Sequence, residues 1–132
     1  MSETGNIEVV KEAYAAFGRG DVPAILQSLT DDVTWHLIGP SEIPYAGLRR
    51  GHAGAAEFFS LLAGSDDVQL FEPRRFLADG DVVVVLGRYE ARVKSTGKVG
   101  KTDWVHVFEF RDGKVAGWRE YFDSAAYAEA YR

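Results

Sequence analysis

Cysteine is absent from this 132-residue chain. That excludes disulfides, thiolate catalysis and cysteine-ligated metal. Proline is scarce, at four residues, so elements of ordinary length can run uninterrupted. No apolar run approaches the roughly 20 residues of a membrane span, and no basic segment leads into a short apolar stretch at the N-terminus. The expected setting is therefore cytoplasmic and away from membranes. Basic residues are outnumbered 15 to 20 by acidic ones, a formal charge of −5, which argues against nucleic acid as a partner. The three histidines have no close spacing, so neither a metal nor another cofactor is expected. Gly47 to Gly54 lacks a preceding strand and phosphate-loop spacing, which argues against nucleotide binding.

What the chain does have is aromatic side chains, 17 in all (Trp 3, Tyr 6, Phe 8). The most telling stretch is Val105 to Asp123. It reads as strand, turn at Arg111-Asp112-Gly113, second strand and helix cap at Asp123. A three-residue hairpin there sets Phe110 opposite Lys114, His106 opposite Trp118 and Trp104 opposite Glu120. Side chains alternate along strands, so Trp104, His106, Phe108, Trp118 and Glu120 share one face. Such a face is too aromatic for water and too polar for an ordinary core. It is expected to wall a pocket.

The remaining elements follow from periodicity and punctuation. Ile7, Val10, Tyr14 and Phe17 keep helical spacing as far as Gly18 to Gly20, and Asp21 caps a short second helix. A strand spans Val33 to Leu37, a loop Gly39 to Gly47, and a third helix about Ala53 to Ala63 with Phe58 on its apolar face. Strands then run over Val68 to Ala78, with Pro73 implying an edge or bulge, Val82 to Lys94, Val99 to Phe110 and Lys114 to Phe122. The VVVVL run suggests burial on both faces. A short helix, Ala125 to Tyr131, closes the chain. Helices first and strands after predict a single α+β domain over residues 1–132, its helices packed on one face of the sheet.

Several segments carry a family resemblance: Ala13-Tyr14-Ala15-Ala16-Phe17 with Gly20-Asp21, Asp31-Asp32-Val33-Thr34-Trp35, Pro44-Tyr45-Ala46-Gly47, and Gly51-His52-Ala53-Gly54-Ala55 with Phe58-Phe59. Asp79-Gly80-Asp81-Val82-Val83-Val84 and the run from Phe110 to Asp123 continue it. In this order the chain resembles the nuclear transport factor 2-like superfamily, in its SnoaL-like and ketosteroid-isomerase-like branch. The resemblance implies a conical domain in which helices and a strongly curved, mostly antiparallel sheet enclose an apolar cavity. It implies a homodimer through the convex sheet face, and no single reaction. The steroid isomerase set is not retained: its aspartate base falls on Leu37, its tyrosine on Ala13 (Tyr14 is one residue out of step) and its acid on His106. The limonene-epoxide-hydrolase set is also incomplete, since Glu120 matches its acid but its Arg and Asp positions fall on Gly87 and Tyr89.

The candidate catalytic residues are therefore His106, Glu120 and Tyr89. A Glu120 carboxylate orienting the imidazole would make His106 a general acid or base near neutral pH, and Tyr89 could polarise a carbonyl. Tyr14, Trp35, Leu37, Phe58, Trp104, Phe108 and Trp118 are the candidate substrate-binding residues. His36 should point to the opposite sheet face, His52 should be exposed or capping, and Asp103 should lie on the surface. Three kinds of protein fit: an acid–base isomerase, cyclase or dehydratase acting on a hydrophobic ring carbonyl, a binding module for an apolar metabolite, or a dimerisation scaffold. Val83, Val85, Val93, Val105 and Val107 exceed what helices on one face can cover, which points to a homodimer.

Overall fold

Ser2 starts the first helix by accepting a hydrogen bond from the Gly5 amide at 2.9 Å, and α1 runs Glu3–Gly18. Gly20, at φ +71°, turns the chain out of it. Asp21 then caps α2, Val22–Gln27, by accepting from the Ala24 amide, with Pro23 tolerated in the first turn. A computed structural model describes residues 2–132 of the chain. After α2 come β1 (Leu29–Leu37), β2 (Gly47–Arg50), α3 (Gly51–Ser65), β3 (Asp66–Asp79), β4 (Val82–Val93), β5 (Val99–Arg111) and β6 (Lys114–Phe122). The chain closes with α4 (Ser124–Ala128), capped by Asp123 as expected, and a 3₁₀ turn over Glu129–Tyr131.

The six strands form one curved, open sheet in the order β2-β1-β6-β5-β4-β3. Every neighbouring pair is antiparallel except β1 and β6, which run parallel. Helices cover the concave face, giving the α+β cone. Pro73 sits on the edge strand at a register shift between Pro73 and Arg75, so the edge and the bulge both occur.

Three expectations change. Strand β1 begins at Leu29, not Val33, because Leu29 pairs in parallel with Val115 across an irregular stretch before Thr34. The loop that starts at Gly39 leads into a short edge strand, β2, whose four residues, Gly47-Leu48-Arg49-Arg50, carry no alternation of apolar and polar side chains in sequence. The VVVVL run is buried on one face only: Val83 and Val85 are fully buried, while Val82, Val84 and Leu86 are half-buried on the other side. Val93 is likewise buried, so three of the five valines expected to need a partner lie within the core, and only Val105 and Val107 remain half-buried. Among the described residues no helix is long and apolar enough to cross a membrane.

Candidate functional site: a hydrophobic cavity with two polar clusters

The β5–β6 turn decides what faces the cavity. Its turn has two residues, not three: Asp112 and Gly113, at φ +51° and +79°, join Arg111 to its partner Lys114. Two positive φ angles are the type I′ geometry favoured by Asp-Gly. Continued without interruption, that turn would set His106 opposite Arg119. Instead Phe110 pairs with Val115 and Glu109 with Gly117, leaving Ala116 as an extra, bulged residue. The bulge restores parity two places from the predicted register. Glu120 therefore lies directly opposite His106, Trp118 opposite Phe108, and Phe122 rather than Glu120 opposite Trp104. The same five side chains still share the inner face.

Behind that face lies a cavity of about 70 Å³, measured as the space open to the centre of a water molecule. A single water needs roughly 10–15 Å³ on that measure. All seven predicted substrate-binding residues line it: Tyr14 from α1, Trp35 and Leu37 from β1, Phe58 from α3, Trp104 and Phe108 from β5, and Trp118 from β6. Trp35 stacks on Trp118 with ring centroids 4.4 Å apart, and Phe58 meets Trp118 edge-on at 5.4 Å. The indole N–H groups of Trp35 and Trp104 are buried and have no acceptor within the protein.

The first polar cluster is set into this aromatic wall. His106 is 4% exposed and stacks on Trp104 at 3.9 Å. Its Nε2 lies 2.8 Å from Glu120 Oε1, and its Nδ1 lies 2.9 Å from the Tyr14 hydroxyl. Glu120 pairs with neither nearby arginine, since Arg119 pairs with Glu109, and Arg88 with Glu90 and Asp103. A carboxylate accepts, so Nε2 carries the proton toward Glu120 and Nδ1 accepts from the Tyr14 O–H. Burial first, and the Glu120 charge second, push the Tyr14 phenol well above the ordinary tyrosine range.

The second cluster escaped the sequence reading. Asp66, the first residue of β3 and 3% exposed, accepts hydrogen bonds from four tyrosines. Tyr45, Tyr89 and Tyr127 donate to Oδ2 at 2.6, 2.8 and 2.8 Å, and Tyr131 donates to Oδ1. These bonds tie the loop before β2 and the C-terminal segment to the start of β3. Tyr45, Tyr89 and Tyr127 also line the cavity. Tyr89 pairs in register with Thr102, whereas His106 pairs with Val85, and the Tyr89 hydroxyl donates to Asp66 and not to the His106 cluster. The four phenols are spread over 87 positions of sequence (45 to 131) with no common spacing, so no local pattern could have assembled them. Desolvation raises all four above the ordinary tyrosine range.

The other predicted positions resolve simply. His36 is half-buried and pairs in register with Leu48 and Arg119, away from the cavity. His52 opens α3 with Nε2 3.1 Å from the Leu29 carbonyl oxygen. Asp103 is exposed and paired with Arg88 at 3.3 Å. Gly87, the position that matches the limonene-epoxide-hydrolase arginine, has no room for a side chain, since an added Cβ would sit 2.2 Å from Trp104 Cζ2.

Residues 10–118 match the SnoaL-like domain family. A search of curated proteins finds no match. Among solved structures, an NTF2-like protein from Burkholderia xenovorans LB400 is 37% identical, with a TM-score of 0.92 over 100% of this chain and 99% of that one. TerC, crystallised with polyporic acid, is 32% identical, with a TM-score of 0.86 over 96% of this chain and 98% of its own. A candidate polyketide cyclase from Xanthomonas campestris pv. campestris shares the fold at 19% identity, with a TM-score of 0.80 over 98% of each chain. The chain thus belongs to the SnoaL-like domain family, within the NTF2-like superfamily.

Proposed function

We propose that this protein catalyses acid–base proton transfer on a hydrophobic cyclic or aromatic carbonyl compound held in the cavity, as in isomerase, cyclase or dehydratase chemistry. The observation that carries the proposal is the His106–Glu120 hydrogen bond of 2.8 Å, set in the wall of an otherwise aromatic cavity. A carboxylate on one imidazole nitrogen fixes the tautomer and stabilises the imidazolium that forms when a proton arrives. The tryptophan and phenylalanine faces suit a flat ring, and the unpaired Trp35 and Trp104 N–H groups are donors for ligand oxygen. Crystallisation of the 32% identical TerC with polyporic acid supports a small organic ligand.

The test is deuterium incorporation at C1 of 2-tetralone in heavy water, followed by proton NMR. Wild-type protein should accelerate labelling above buffer, and His106→Ala should return it to the buffer rate while circular dichroism shows a folded domain. Undiminished labelling by His106→Ala would remove His106 from the reaction.

The outer sheet face, with Tyr121 45% exposed beside half-buried Val105 and Val107, is proposed as a homodimer contact. A monomeric mass by analytical ultracentrifugation at micromolar concentration would refute it.

A further inference from the structure

The same hydrogen bonds that orient His106 also occupy it. Nε2 is engaged by Glu120 at 2.8 Å and Nδ1 by the Tyr14 hydroxyl at 2.9 Å. With both ring nitrogens bound and the ring stacked on Trp104 at 3.9 Å, no basic atom of His106 is left for a ligand. The Tyr14 oxygen is different. It spends its proton on Nδ1 and keeps a lone pair, and Tyr14 lines the cavity. Its ring is held edge-on by Phe71 at 5.4 Å and by Phe108 at 5.9 Å, with Trp104 at 6.1 Å.

We propose that Tyr14 is the catalytic residue that meets the substrate, and that the proton reaches His106 only through the Tyr14 hydroxyl. The inference rests on the proton-transfer reading above and names the group that carries it out. The C–H bond beside the substrate carbonyl breaks, and its electron pair moves into the carbonyl to give an enolate. The proton bonds to the Tyr14 oxygen while the original Tyr14 proton leaves for Nδ1. Tyr14 is a neutral phenol before and after, His106 becomes an imidazolium, and Glu120 balances its charge. Running the relay backwards returns a proton to the enolate at its original carbon or at a conjugated one. A phenol held above the ordinary tyrosine range suits this role, because it passes a proton on as it receives one and never stands as a phenolate. His106 and Glu120 then act through Tyr14 as positioning and proton-holding groups.

Tyr14→Phe separates the relay from a histidine acting directly, since it keeps the ring and frees Nδ1. The relay predicts that 2-tetralone labelling falls at least about hundredfold, to the level of His106→Ala. A histidine acting directly predicts labelling that is unchanged or faster. Nitrogen-15 NMR of the His106 ring gives a readout that needs no turnover: Nε2 should be protonated and Nδ1 should accept. Tyr14→Phe should shift the Nδ1 resonance and leave Nε2–H in place. Protonated Nδ1 in the resting protein overturns the relay. So does labelling that survives Tyr14→Phe but not His106→Ala, whereas absence of labelling by wild-type protein overturns the ring-ketone reading instead.

Discussion

Glu120 and His106 face each other across the β5–β6 ladder, 2.8 Å from Oε1 to Nε2, because Ala116 is an extra residue in β6. In the same sequence without that bulge, Arg119 would occupy the inner position and the histidine would meet a cation. Glu120→Gln keeps an acceptor for Nε2–H but removes the charge that balances an imidazolium. We expect labelling of 2-tetralone to fall by roughly 10²–10⁴, with the loss in kcat rather than KM. A wild-type kcat in this variant would reduce the carboxylate to a structural brace.

Asp66 is the second place where one carboxylate organises distant elements. Asp66→Ala leaves the phenols of Tyr45, Tyr89, Tyr127 and Tyr131 without their acceptor. An orphaned buried polar group costs about 1–3 kcal/mol. The four are neighbours and relax together, so a total loss of roughly 3–5 kcal/mol is expected in urea denaturation. Tyr131→Phe removes one donor from the partly exposed end and should cost about 1 kcal/mol. Equal losses for the two variants would mean that Asp66 is not the hub of the cluster.

Gly87 lies beneath Trp104, and no side chain fits between them. In Gly87→Ala the new Cβ would be 2.2 Å from Trp104 Cζ2, forcing the indole away from the His106 ring it stacks on. Overpacking of this kind costs typically 1–3 kcal/mol. Thermal denaturation should show that loss, together with slower 2-tetralone labelling. Unchanged stability would mean that Trp104 has a second resting place.

Alkaline titration offers a test without mutation. Burial raises Tyr14, Tyr45, Tyr89, Tyr127 and Tyr131 above their value in the unfolded chain, about 10. Above that pH the unfolded state has released protons that the folded state retains, so stability is complete below about pH 10 and declines as pH rises. Tyrosinate absorbance from these five should appear only together with loss of the folded circular dichroism signal. Reversible ionisation of all five within the folded domain would contradict their burial.

Periodicity and punctuation were enough for the helices, the four long strands and the Asp21 and Asp123 caps, because these depend on neighbours within a few residues. They also marked the inner face of β5 and β6, since alternation survives an error of two positions in register. The bulge at Ala116 was not legible. The only trace is that the buried Val115 and Trp118 stand three apart, and that spacing does not say which residue is extra. Strand β2 carries no alternation of apolar and polar side chains in sequence. The valines of β4 and β5 look alike as letters, and only the packed helices decide which of them are covered.

The sequence by itself determined an aromatic, cysteine-free α+β domain with His106 and Glu120 on a common inward face. Composition and short-range spacing are properties of the chain alone. Tertiary structure decided that Tyr14, 92 positions from His106, closes the second ring nitrogen. It also decided that Tyr89 serves Asp66 instead of the histidine. Hydrogen bonds of this kind depend on sub-ångström placement of side chains from separate elements, and that placement exists only once the apolar faces have packed and fixed the elements against one another.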